Sequence, residues 1–479
     1  MTETASDPCL WSLTEAAEAV AAGRISSREL TEAVLARIDK WQPVLNCFIH
    51  LEADLALEMA DAADAARARG ETLGPLHGVP MAHKDMFYRA GVLSTCGSAI
   101  RRDFRPDYTS TVMARLDAAG AVYLGGLNMS EFALGPTGHN DHWGHCRNPW
   151  NPAHITGGSS SGSGSATGGR LSFGALGSDT GGSVRLPAGA NGVVGMKVTS
   201  GRISRYGCMG LSFTHDTIGP LTRTVADNAR MLGVVAGYDP NDPTSSQRPA
   251  GDYEAACAAR DLKGLRIGVP ETYFRASLDP AVAEHMDTSL RVFAELGAVV
   301  KPVAIPDPDA NIDLANIITA TEGATLHAHW LRTRPNDYGP QPRARLEAGF
   351  AVSATDYLTA LQLRPRLVRQ FVEAAFAECD ILHAPNFEAP IPSIAETDIG
   401  DRQGFAAVLA RTSRCTRPMN FLGLPALTLP AGFDANGCPT SMQLIGKPFA
   451  EARLYAAGAA YEAAVGFAAK APALPSQAR

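Results

Sequence analysis

Between Gly157 and Pro187 the chain gathers glycines and serines at a density that ordinary globular segments do not reach. The stretch opens with G-G-S-S-S-G-S-G-S at Gly157–Ser165 and closes with G-S-D-T-G-G-S-V-R-L-P at Gly177–Pro187. A serine hydroxyl is a poor nucleophile until a positioned base takes its proton. Glycine permits close backbone approach and positive φ. Successive backbone N–H groups in such a turn can form a nest for a developing oxyanion. Serines beside such a nest suit attack on a carbonyl carbon.

Other readings of the stretch fare worse. A flexible linker is monotonous, whereas here an apolar run, Leu171–Leu176, divides two Gly/Ser clusters. Gly158-x-Ser160-x-Gly162 fits the nucleophile-elbow pattern, but that pattern needs a strand directly before it. The residues before it are Asn148-Pro149-Trp150-Asn151-Pro152, and two prolines do not make a central strand. His215, His327 and His383 lie downstream, none in a recognisable catalytic context. A phosphate loop fails because no Gly-Lys-Ser/Thr follows, and Thr167 stands where a third glycine would be needed after Gly162-x-Gly164.

The two clusters together resemble the signature of the amidase signature family. G-V-P-M-A-H-K-D at Gly78–Asp85 resembles that family's lysine motif. The spacing agrees: Lys84 and Ser159 are 75 positions apart, and Ser159 and Ser183 are 24 apart. Gly120–Phe132, Arg147–Pro152, Gly201–Gly207 and Gln443–Phe449 also have family counterparts, so the resemblance covers most of the chain. It implies an α/β amidase signature fold, a large twisted mixed β-sheet core covered by helices on both faces.

The resemblance implies Ser183 as nucleophile, Ser159 as bridging serine with a cis peptide bond, and Lys84 as base. The chemistry is consistent with that division. Lysine has an ordinary pKa of ~10.4, and burial can lower it by as much as ~3–5 units. Lys84 follows the apolar run Val79–Ala82, which suits a desolvated site. Backbone amides of Thr180, Gly181, Gly182 and Ser183 are the implied oxyanion hole. Ser160, Asp179 and Arg185 are implied braces for the two loops. The loop from Ala133 to His145, with Ala133, Gly135, Thr137 and Gly138, is expected to border the substrate pocket. Ser161 departs from the family pattern, which more often has Gly there.

Around this core the elements must hold three distant segments together. Residues 1–70 read as a helical cover: Ser12 with Glu15 caps a helix that Gly23 ends, Ser26 with Glu29 opens another to about Lys40, and Leu51–Arg69 is a third. Residues 74–237 form the signature core, with buried strands at Gly78–Ala82, Ala121–Leu124, Leu171–Leu176 and Gly192–Met196, then a helix from Thr224 to about Ala236. Asp239–Pro249 reads as a surface connection. In residues 250–479, strand Gly264–Val269, helix Pro280–Leu296 and strand Ala298–Ile305 suggest a parallel β–α–β unit. Residues 310–377 read as helical, Ile381–Pro385 and Ala426–Pro430 as strands, and 449–466 as a closing helix. A single domain spanning 1–479 is the expectation.

Composition narrows the class. The net charge of −7 over 479 residues offers no basic footprint for nucleic acid. The start, Met1–Leu10, lacks the basic and apolar regions of a secretory signal, and no apolar run is long enough for a membrane span. Nine scattered cysteines without C-x-x-C suggest reduced thiols in a cytoplasmic protein. His139, His142 and His145 could face one way on a helix as zinc ligands, but Gly138, Gly144 and nearby prolines read as loop. Neither metal nor organic cofactor is expected.

The expected substrate is a small-molecule amide, cut by a stand-alone amidase. The alternative is the glutamine-hydrolysing A subunit of a tRNA-dependent amidotransferase. Those subunits carry D-I-Y-T before N-L-A-G-L-P, and the matching stretch here is Ser413-Arg414-Cys415-Thr416 before Asn420–Pro425, so the Asp thought to hold glutamine is Ser413. Ile318–Pro340 resembles segments of carboxybiuret hydrolases, which act on urea-like amides. Glu322, His327 and Arg334 in that segment read equally as pocket or as helix packing. Homodimers are common in the family.

Overall fold

The computed structural model describes residues 7–398 and 404–473. The first residues of the N-terminal reading, and the segment after 473, lie outside the described residues.

Among the described residues, eleven strands form two hydrogen-bonded sheets. Strands β1 (Phe48–Leu51), β2 (Pro80–Lys84) and β3 (Val122–Leu127) make a small one in the order β1-β3-β2, with β2 parallel and β1 antiparallel to β3. The large sheet contains β4 (Gly174–Asp179), β5 (Val194–Lys197), β6 (Thr217–Thr222), β7 (Arg266–Pro270), β8 (Val299–Val303), β9 (Ile381–Pro385), β10 (Ala426–Phe433) and β11 (Pro439–Gly446). Its order is β4-β6-β5-β10-β11-β9-β7-β8. The β7–β8 and β7–β9 pairs are parallel and the rest antiparallel, so the mixed sheet and the β–α–β unit expected at 264–305 are both present.

Lys84 therefore lies on the small sheet and Asp179 on an edge strand of the large one. Polar side chains join them: Ala82 N donates to Ser172 Oγ at 2.9 Å and Leu176 N to His83 Nδ1 at 3.1 Å. Every residue of β2, β4 and β6 is buried, so a mis-set register would bury unpaired polar groups.

Several boundaries differ from those the sequence suggests. The strand expected at Leu171–Leu176 begins at Gly174 and runs to Asp179. Leu171 instead ends the preceding helix: Arg170 takes a left-handed φ of 62°, and Leu171 N donates to Ala166 O at 2.8 Å. That helix, Ser161–Gly168, is built wholly of Gly, Ser, Ala and Thr, which are weak helix formers apart from Ala. All eight of its residues are buried. A Cβ at Gly162 would clash with the backbone of Cys47 and Asn128, and one at Gly164 with Pro187, so close packing holds the helix where propensity would not. The helix expected to stop near Lys40 continues through Pro43 to Leu45, whose side chain is buried. Leu51 belongs to β1, and the third helix starts at Ala53.

Candidate active site

The end of β2 delivers Lys84 into the protein interior, where it is 1% exposed. Its Nζ donates to Ser159 Oγ at 2.7 Å and to Ser178 Oγ at 2.8 Å. The adjacent Asp85 turns away, accepting from Thr95 N at 2.8 Å and from the Thr95 hydroxyl. Among the described residues, Lys84 thus has hydroxyl partners and no carboxylate within hydrogen-bond reach. Burial pushes its pKa down to about 7; the more distant Asp216 and Asp179 only partly offset that. An amine so poised can both take and return a proton near neutral pH.

Ser159 follows a cis Gly158–Ser159 peptide. Its surroundings fix it: Gly158 N donates to Pro136 O at 2.7 Å, and Ser130 N to Ser159 O at 3.0 Å. A Cβ at Gly158 would collide with Gly135 O, which requires glycine there. Ser160 braces the other loop, since its Oγ lies 3.3 Å from both the N and the O of Ser178. Ser161, the departure from the family pattern, donates its hydroxyl to Asn128 O at 3.1 Å.

The second loop is built on Asp179. Its carboxylate accepts from Gly182 N at 2.7 Å and Val184 N at 3.1 Å, and pairs in two-pronged fashion with Arg185 Nε and Nη2, both at 3.1 Å. Arg185, wholly buried, donates further to Gln443 Oε1 at 2.9 Å and Asn420 Oδ1 at 2.8 Å. Burial alone would raise the Asp179 carboxyl, but the Arg185 guanidinium overrides it and holds the group well below the usual carboxylate range. Behind the loop the Thr180 hydroxyl donates to Asp216, and Thr416 Oγ1 donates to Gly181 O at 2.8 Å.

Ser183 closes this turn, 8% exposed, and lines a narrow cavity of about 50 Å³. Of the four amides expected from sequence to form the oxyanion hole, that of Gly182 is committed to Asp179. The amides of Thr180, Gly181 and Ser183 make no such bond to that carboxylate. Of the pocket residues expected between Ala133 and His145, Ala133 and Gly135 line the cavity; Thr137 and Gly138 do not. Gly138 faces inward, where a Cβ would meet Thr156 and Gly157.

The histidine loop has structural partners. His139 Nε2 lies 2.9 Å from Thr397 Oγ1, His142 Nε2 3.1 Å from Glu131, and His145 Nε2 3.2 Å from Asp398. Among the described residues no cluster could hold a metal ion. Glu322, His327 and Arg334 follow the packing alternative. Glu322 receives Thr214 N at 3.0 Å and the Tyr357 hydroxyl at 3.0 Å, His327 pairs with the Tyr338 hydroxyl at 2.8 Å, and Arg334 with Asp337 at 2.6 Å.

Ser178, Asp216, Asn420 and Gln443 bond to these residues, and the sequence reading gives none of them a role, although Asn420 and Gln443 open stretches it matches to the family. Ser178 is within reach of such a reading, because it directly precedes Asp179 in the signature stretch. The others sit on distant segments, and their bonds to the site follow from the fold.

The family described as amidase matches residues 29–455. The chain is 41% identical over 461 residues to the A subunit of the glutamyl-tRNA(Gln) amidotransferase of Moorella thermoacetica, covering 91% of this chain and 93% of that one. The corresponding protein of Pseudomonas savastanoi pv. phaseolicola is 38% identical over 483 residues, covering 96% and 98%. Among solved structures, one from a vestigial protein complex that bears on the origins of an s-triazine catabolic enzyme superposes with TM-score 0.88 at 36% identity, covering 95% of this chain and 99% of that one. The 6-aminohexanoate cyclic dimer hydrolase superposes with TM-score 0.88 at 28% identity, covering 97% and 99%. No helix among the described residues is long and apolar enough to cross a membrane. Matches that run through almost the whole of both partners, in sequence and in fold, make this chain a member of the amidase signature family.

Proposed function

We propose that the protein hydrolyses the carbon–nitrogen bond of a small amide through an acyl-enzyme on Ser183. The observation that carries this reading is the 2.7 Å contact from Lys84 Nζ to Ser159 Oγ in a buried setting with no carboxylate partner among the described residues. Ser183 Oγ attacks the carbonyl carbon, its proton passes to Ser159, and the Ser159 proton passes to Lys84. The carbonyl oxygen becomes an oxyanion held by the N–H groups of the Thr180–Ser183 turn that Asp179 leaves free. As the C–N bond breaks, Lys84 returns the proton through Ser159 to the leaving nitrogen. Water then attacks the ester and loses its proton along the same relay, releasing the acid. No step calls on a metal or organic cofactor.

Whether the chain works alone is a separate matter. The two curated relatives reported above, at 41% and 38% identity, are A subunits of amidotransferases, and this favours a glutamine-hydrolysing subunit. Ser413 in place of the expected aspartate favours a stand-alone amidase with another substrate. Product release from alkyl and aryl amides, anilides, urea derivatives and glutamine, by wild type and Ser183→Ala, tests the reading. Cleavage lost in the variant supports it; cleavage kept by the variant refutes it. Preference for glutamine together with stable co-purification of a partner would favour the subunit role.

A further inference from the structure

Among the described residues, the cavity at Ser183 is lined by two arginines and by no aspartate or glutamate. Arg345 comes from the helix Pro340–Glu347 and Arg417 opens the helix Arg417–Leu422. Arg345 Nη1 is buried without a hydrogen-bond partner. Desolvation first, then repulsion from Arg417, pushes the Arg345 pKa down to about 10, which leaves it charged at neutral pH. Burial lowers Arg417 as well, and no carboxylate is among the neighbours that bear on either group. Two half-buried guanidinium groups that repel one another, with no carboxylate in the lining, are an unfavourable arrangement that a bound anion would relieve.

Arg417 is also close to the chemistry. A Cβ on Gly181, two residues before Ser183, would lie 3.4 Å from Arg417 Cγ and 3.7 Å from Arg417 Nε. The arginine thus lies along the turn that carries the nucleophile. The other ionisable group of the lining, His215, is kept neutral: burial pushes it down to about 3, and its Nε2 is buried without a partner. Ser413, which stands where amidotransferase A subunits carry aspartate, lines the same cavity.

A free α-amino acid with its amide on the side chain, such as glutamine, brings an ammonium with its carboxylate. Here that ammonium would meet two guanidinium groups and no acid. Resting on the amidase reading above, we infer that the cavity selects small amides that carry a carboxylate and lack an ammonium, with Arg345 and Arg417 as the anion clamp, and that it turns glutamine away.

Three ligands isolate the two charges: glutaramate, pentanamide, which lacks the carboxylate, and L-glutamine, which adds the α-ammonium. Binding is measured by calorimetry on Ser183→Ala protein, so a failure of the hydrolytic reading, seen as no turnover by wild type, stays separate. Glutaramate binds about ten- to a hundredfold more tightly than either of the others, the range of one or two charge-assisted hydrogen bonds. Adding Arg417→Gln or Arg345→Gln removes most of that preference, while Arg417→Lys keeps part of it. Circular dichroism and unchanged pentanamide affinity confirm that the variants fold. Glutamine binding as tightly as glutaramate, equal or undetectable binding of all three, or glutaramate affinity untouched by both glutamine substitutions would overturn the inference.

Discussion

Lys84 Nζ stands 2.7 Å from Ser159 Oγ and 2.8 Å from Ser178 Oγ, with no carboxylate of the described residues beside it. In the proposed mechanism, a lysine held by hydroxyls in a site that disfavours its charge acts as a base whose competence depends on pH. The proposed mechanism uses the neutral amine, whose pKa is pushed down to about 7. kcat/KM should therefore rise with pH through about 7 and level off above it. A profile already flat below pH 6 would mean that Lys84 is not the base.

Ser178 tests the same point from the side. Its hydroxyl accepts from the ammonium and so favours the charged form. Ser178→Ala should lower kcat by about tenfold, the effect of one lost hydrogen bond to a charged group. It should also move the rising limb of the pH profile to lower pH. A purely structural loss would lower the rate without moving the limb.

The Asp179–Arg185 pair is fully buried and ties the nucleophile turn to β11 through Gln443 and to the helix Arg417–Leu422 through Asn420. Removing one partner strands the other charge in the interior. Arg185→Met should cost about 3–5 kcal/mol in urea unfolding, and Asp179→Asn should reduce activity even where the fold survives, because it disturbs the bond that fixes the Gly182 amide. Unfolding midpoints equal to wild type for both variants would contradict this account of the turn.

The two glycines of the turn should behave differently. Gly182 has φ 129°, and its Cβ would run into the Thr416 side chain, so Gly182→Ala should abolish measurable turnover. Gly181 meets only the edge of Arg417, so Gly181→Ala should fold normally and change KM more than kcat. Steady-state kinetics on both variants decide between this and a general intolerance of the turn.

The Lys84–Ser159 contact is legible in the sequence through the family resemblance, which rests on short stretches: Lys84 after an apolar run, and Ser159 inside a glycine cluster. What is not legible depends on contacts between distant segments. The helix Ser161–Gly168 is held by close packing of its glycines and defeats propensity. The commitment of the Gly182 amide is a matter of Ångströms within a turn. Arg345 and Arg417 come from the helical part of the chain, and nothing local to either residue says that it lines the cavity at Ser183. Ser413 is the exception, since its departure from aspartate is visible in the sequence and the residue lines the cavity.

The most direct test of the central claim is to trap the acyl-enzyme. The protein is mixed with an activated ester or a slowly hydrolysed amide, quenched, digested and read by mass spectrometry. The account predicts an acyl group on the peptide containing Ser183, absent from Ser183→Ala and formed about 10⁴-fold more slowly in Lys84→Ala. Turnover with no adduct on that peptide, or an adduct on another residue that persists in Ser183→Ala, would contradict it.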